Sequence, residues 1–111
     1  AKILRNPGGR VTDATLVALV LSVSLLNVDR IMLIQHTRCA MASASESEMH
    51  AKLSAFANSD TTWLTLGTIT DQEKTLRADV NRVISHPLIP SNVEVGAFIY
   101  DVDTHLLQPV H

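Results

Sequence analysis

Cysteine is nearly missing from this sequence: Cys39 is the only one. One thiol cannot close a disulfide within the chain, which points to a reducing, cytoplasmic setting. Aromatic residues are almost as scarce, with one Trp, one Tyr and two Phe. They leave little for bases to stack on, and no block of Lys or Arg tracks a phosphate backbone, so nucleic acid is not an expected partner. Long apolar runs are absent too. The longest, residues 16–28, is interrupted by Ser22, Ser24 and Asn27 and is shorter than the roughly 20 residues that span a bilayer, so no membrane partner is expected. Lys2 and Arg5 lead into Pro7-Gly8-Gly9 rather than an apolar stretch, so no signal peptide is expected. The chain opens on Ala1, and its natural start is expected to lie upstream.

What is present is a dense apolar complement. Hydrophobic residues make up 46% of 111 residues, and the formal charge is −2 with acids and bases interspersed. That balance suits one packed domain over residues 1–111. Lys2 to Arg5 reads as a short strand, stopped by the loop Asn6-Pro7-Gly8-Gly9. Thr12 or Asp13 caps a helix over residues 13–26 that is apolar on nearly every side. Such a helix belongs between layers or in a subunit interface, so at least a homodimer is expected.

Residues 30–35 form a continuous apolar strand of the kind covered on both faces in a parallel sheet. A helix follows over residues 41–58, with a capping box at Ser45 to Glu48 and a stripe of Met49, Leu53 and Phe56. A second box, Thr70 to Glu73, opens a helix with a buried stripe of Leu76, Val80, Val83 and Ile84 that ends before Pro87. Residues 93–102 form a strand. After a turn at Asp103 to His105, residues 106–110 pair back as a short hairpin partner, with Pro109 confining it to an edge. The alternation predicts an α/β fold with a mainly parallel sheet flanked by helices.

The chemistry-bearing stretch is Ile34-Gln35-His36-Thr37-Arg38-Cys39-Ala40-Met41. It places an imidazole and a thiol three positions apart at the carboxyl end of a strand, where open α/β sheets gather ligands. Zinc accepts both donor types, and it takes three or four ligands from protein. A lone H-x-x-C also suits a buried thiol beside a hydrogen-bonded imidazole. His86 reads as a helix-end residue, while His50, His105 and His111 face solvent. Asp13 reads as a helix cap, and Asp101 and Asp103 as turn formers. Arg10 and Arg38 read as solvated surface, with anion binding as the alternative.

Several stretches together resemble the β-class carbonic anhydrases. Arg5-Asn6-Pro7-Gly8-Gly9-Arg10-Val11-Thr12-Asp13 is similar to that family's R-N-A-G-G-x-V-T-D segment. His36-Thr37-Arg38-Cys39-Ala40-Met41 is similar to its H-T-D-C-G-M zinc segment. His86-Pro87-Leu88-Ile89-Pro90 and the run from Gly96 to Val102 are similar to its H-P-L-I-P and G-x-x-Y-D-V patterns. The resemblance implies a parallel-cored α/β domain in dimers or larger homo-oligomers. It implies a zinc ion that hydrates CO2 to bicarbonate, with the pKa of its bound water lowered to about 7. It makes His36 and Cys39 metal ligands and puts Gly8 and Gly9 in the loop bordering the substrate pocket. Hydrolysis of carbonyl sulfide or carbon disulfide is open to the same scaffold.

The sequence also departs from the pattern. The family's C-x-D-x-R motif, which carries the first cysteine ligand and an Asp–Arg pair, has no counterpart here, so no catalytic residue is assigned. Arg38 stands for an acid, Ala40 and His105 for glycines, and Pro7 for an alanine. The absent motif implies a missing first strand between residues 2–5 and residues 30–36. Unpaired buried peptide groups cost about 1–3 kcal/mol each, against a total stability of about 5–15 kcal/mol. Either the chain is part of a longer protein, or a partner chain or segment supplies that strand, or the flanking strands pair directly. The alternative to an enzyme is a non-catalytic, truncated domain that keeps the dimerising helix and acts as a structural or interaction subunit.

Overall fold

A computed structural model of the protein describes all residues from Ala1 to His111. The helices are α1 (Asp13–Leu25), α2 (Glu46–Ala57) and α3 (Gln72–Ile84). The strands are β1 (Arg30–His36), β2 (Glu94–Tyr100) and β3 (Leu107–Val110). Two short 3-10 turns, Pro7–Gly9 and Ala40–Ala42, sit before α1 and after β1. The strands form one sheet in the order β1-β2-β3. β1 and β2 run parallel, with His36 level with Tyr100. β2 and β3 run antiparallel, with Phe98 level with Pro109.

The sheet is therefore mixed and not mainly parallel. The reason is the length of the last connection: a short turn can join only antiparallel neighbours, whereas a parallel pair needs a crossover such as α3. Pro109 lies on an edge strand, where its missing N–H is harmless. Residues 1–5 form no strand, and Ile3 is 80% exposed. They do not pair with β1, so the direct pairing considered from sequence does not occur.

β1 is not covered on both faces. Ile31, Leu33 and Gln35 are buried, while Met32, Ile34 and His36 are exposed. α3 covers one side, and its Leu76 and Val83 pack with Val11, Ile31, Leu33 and Ala97 in the core. α1 does not cover the other face, because it packs Leu16, Leu19, Val20 and Val23, half-buried, against this same core. The molecule is accordingly elongated. Its radius of gyration is 15.5 Å and its extents are 47 × 33 × 22 Å, against about 13 Å expected for a compact domain of this length.

The helix expected over residues 41–58 is interrupted. The Ser43 hydroxyl bonds the Ala40 carbonyl, closing a local turn that competes with helix. α2 then starts at Glu46 on the expected Ser45–Glu48 capping box. Its stripe stays uncovered, and Phe56 is 91% exposed.

In α3 the buried stripe is Leu76, Asp79 and Val83, while Ile84 is exposed. Asp79 takes the core position because the segment entering α1 meets it there. Arg10 Nε lies 2.9 Å from Asp79 Oδ2 and Arg10 Nη2 lies 3.3 Å from Oδ1. The Val11 N–H donates to the same Oδ2 at 3.0 Å. Arg10 is thus a structural ion-pair partner and not solvated surface. Arg82, one turn along α3, donates to the Val11 carbonyl and to Asp13 Oδ1 at 2.7 Å. Asp13 pairs there, while Thr12 accepts the capping bond from Thr15.

Breaking a buried pair strands the remaining charge. Asp79→Ala is expected to lower unfolding stability by about 3 kcal/mol, read as a fall in the urea midpoint, whereas Arg77→Ala on the exposed face of α3 leaves it within about 0.5 kcal/mol.

Candidate metal centre

Three contacts fix the segment after β1. The Thr37 N–H donates to the Tyr100 carbonyl at 2.9 Å. The Val102 N–H donates to Thr37 Oγ1 at 3.0 Å. Gln72 Nε2, in the first turn of α3, donates to the His36 carbonyl at 2.7 Å. Arg38 then turns the chain through φ +56°, in the left-handed region. Its guanidinium lies 2.9 Å from Asp103, although both side chains are largely exposed. Arg38 thus joins the segment after β1 to the 101–104 turn after the neighbouring β2. Asp101 forms that turn as expected, accepting the N–H groups of Asp103 and Thr104. Those donors, Asp103 first, hold its carboxyl below the usual range.

His36 is exposed at the end of β1, and its Nδ1 lies 2.7 Å from the Thr37 carbonyl. A carbonyl can only accept, so Nδ1 carries the hydrogen and Nε2 keeps its lone pair. That is the tautomer in which a backbone acceptor orients a ligand imidazole. Cys39 is a buried free cysteine at the N-cap position of the Ala40–Ala42 turn, where its backbone carbonyl, and not its thiol, accepts the Ala42 N–H. Gly8 and Gly9 lie over this end of β1. A Cβ on Gly9 would sit 2.4 Å from the Ile34 carbonyl oxygen, and its φ is +62°. Glycine is required there for close approach to the strand as well as for the turn.

The donor set fits zinc in kind but not in number. His36 and Cys39 are two candidates, and no group of three or more His, Cys, Asp or Glu side chains is placed to hold a metal ion. Zinc takes at least three protein ligands. The remaining histidines do not converge on the pair. His86 Nδ1 accepts the Leu88 N–H, and His105 Nδ1 lies 3.3 Å from the Tyr100 hydroxyl. His50 is not solvent-facing. It is buried against Thr61, with Nδ1 to Oγ1 at 3.2 Å, and its Nε2 is 3.7 Å from Glu46.

Glu46 was missed by sequence reasoning, which read this run only as a capping box from Ser45 to Glu48. Its carboxylate accepts the N–H groups of Leu66, Gly67 and Thr68 and the Thr68 hydroxyl. The Thr68 N–H foremost holds its pKa below the usual 4.5. No local signal marks a carboxylate that binds a loop some twenty residues away.

No family model matches the chain. Among curated proteins it is 28% identical over 126 residues to a carbon disulfide hydrolase of Acidithiobacillus thiooxidans, covering 97% of this chain and 58% of that protein. It is 26% identical over 110 residues to β-carbonic anhydrase 1 of Mycobacterium tuberculosis, covering 99% of this chain and 67% of that protein. Among solved structures, the carbonic anhydrase of Streptococcus mutans superposes with a TM-score of 0.92 at 33% identity, covering 97% of this chain and 65% of that one. The fold is that of the β-carbonic anhydrase and carbon disulfide hydrolase superfamily. The chain spans less than two thirds of the length of the first relatives it matches.

A carboxylate with a lowered folded pKa contributes stability above its unfolded pKa and loses it as pH falls through the folded value. Backbone amides of residues 66–68 are therefore expected to exchange faster with solvent as pH drops below about 4.5, after correction for intrinsic rates. Glu46→Gln removes most of that pH dependence, as hydrogen exchange would show.

Proposed function

We propose that the chain belongs to the β-carbonic anhydrase and carbon disulfide hydrolase group, and that its 111 residues by themselves form a non-catalytic assembly subunit. What supports this reading is the donor count: His36 and Cys39 are two candidate ligands, no group of three or more His, Cys, Asp or Glu side chains is placed to hold a metal ion, and zinc needs at least three. The partner is a second copy of the chain, met through α1. That helix buries none of its own residues, and Val17, Leu21 and Leu25 are 60%, 49% and 72% exposed. Its Leu16, Val17, Val20 and Leu21 line an apolar groove of about 360 Å³ with Leu88. A contiguous apolar surface of this kind marks an interaction site. No helix is long and apolar enough to cross a membrane. A cytoplasmic setting suits the single free thiol.

A second reading is supported by His36, which is exposed at the end of β1 with Nδ1 2.7 Å from the Thr37 carbonyl. In it, another segment or subunit lies along the open side of β1 and supplies a third donor with an Asp–Arg pair. Gly8 and Gly9 would then border the pocket. His36 and Cys39 would hold Zn2+, which would supply Lewis acidity toward CO2 and bicarbonate or toward carbonyl sulfide or carbon disulfide.

Two measurements decide between these. The purified chain is expected to carry only traces of zinc by elemental analysis and to leave CO2 hydration and sulfide release from carbon disulfide at buffer rates. One tightly held zinc per chain, with turnover abolished by Cys39→Ala, would overturn the first reading. Sedimentation is expected to show a dimer or larger assembly that Leu21→Glu dissociates. A wild-type monomer at micromolar concentration would remove the assembly role.

A further inference from the structure

Gln35 is 1% exposed, and neither Nε2 nor Oε1 has a hydrogen-bond partner within the chain. An amide left in that state is strongly disfavoured, and most buried polar side chains are satisfied by protein or by ordered water. The place it occupies is specific. Gln35 is the residue before His36 and lies on the covered face of β1. Its Cγ is 3.6 Å from where a Cβ on Gly9 would stand. The neighbouring Gly8 faces Met41 Cβ and Ile69 Cδ1. Met41 belongs to the turn that Cys39 caps, and the Cys39 thiol is itself buried and makes no hydrogen bond. The Gln35 side chain thus lies against the same two-glycine loop that meets Met41.

We propose that this crevice, between the Pro7–Gly9 turn and the end of β1, is an internal hydration site holding one water molecule on the Gln35 carboxamide. The chemistry selects the guest. The carboxamide offers a donor and an acceptor side by side, so its complement must both accept and donate. A metal cation satisfies only Oε1, and a halide satisfies only Nε2. A bicarbonate ion could do both, but it brings a buried negative charge, and the adjacent cation, Arg10, is already committed to Asp79. Water does both without charge and is small enough for so closed a place. The site does not depend on the functional reading above.

The test uses the whole chain labelled with 15N. The side-chain NH2 of Gln35 is expected to show a dipolar cross-peak to water in a rotating-frame experiment, with sign opposite to chemical exchange. Absence of that cross-peak overturns the proposal. A second measurement uses Gln35→Met, which keeps the shape and removes both polar atoms. If water bridges the carboxamide, the variant loses those bonds and its Tm falls by about 4 °C or more. If the amide is simply unsatisfied, the substitution relieves it and Tm rises, which overturns the proposal whatever the first measurement gives.

Discussion

Asp79 is a carboxylate held out of water in the middle of α3, and it receives both Arg10 and the Val11 N–H. Removing a carboxylate from solvent costs several kcal/mol unless charge-assisted donors replace the lost hydration. Its position therefore requires the segment after the glycine turn to pass directly across α3. Arg82 repeats the attachment one turn later by binding the Val11 carbonyl and Asp13. Once residues 10–13 are fixed to α3, the Pro7–Gly9 turn is brought over the end of β1, and Gly9 meets the Ile34 carbonyl. Arg10 also reaches the Gly67 carbonyl at 3.3 Å. The loop that Glu46 holds is thereby joined to the same anchor. Three segments distant in sequence depend on a single buried charge.

The local features of the sequence were readable because their causes are local. Ser45 and Glu48 close a capping box within four residues, whereas the Thr70–Glu73 box does not form and α3 is capped one residue later, by Asp71 accepting the Lys74 N–H. Gly8 and Gly9 both adopt positive φ, as a Pro-Gly-Gly stop suggests. What could not be read was which apolar faces find a cover. The run Ile31-Met32-Leu33-Ile34 is equally apolar on both sides, yet only alternate residues are buried. Hydrophobicity specifies a preference for burial, but a second layer must exist for burial to happen. Asp79 is the converse case. It lies beside the apolar stripe without belonging to it, and the arrival of Arg10 from 69 positions away accompanies its burial.

At the metal segment, legibility was partial for the same reason. The spacing of His36 and Cys39 and their place at a strand end are properties of a few consecutive residues. The orientation of the imidazole depends only on the next carbonyl. A third ligand is a long-range property, and no third side chain converges here. Gln35 lies between these cases. Alternation along β1 places it inward, but whether an inward amide finds a partner is decided by the loop above it.

Rigidity is distributed to match. β1 and β2, α3 and the residues from Val11 form the packed body, and the ends of β1 and β2 are tied by Thr37 to Tyr100 and Val102. α1 lays Leu16, Leu19, Val20 and Val23 half-buried against it, while Val17, Leu21 and Leu25 face outward. Helices of 12 and 13 residues are marginal alone in water, so the order of α1 draws on that one-sided packing, and its outer face adds nothing within the chain. The segment that ends at His36 is held by contacts internal to the chain, while the outer face of α1 stays open to solvent.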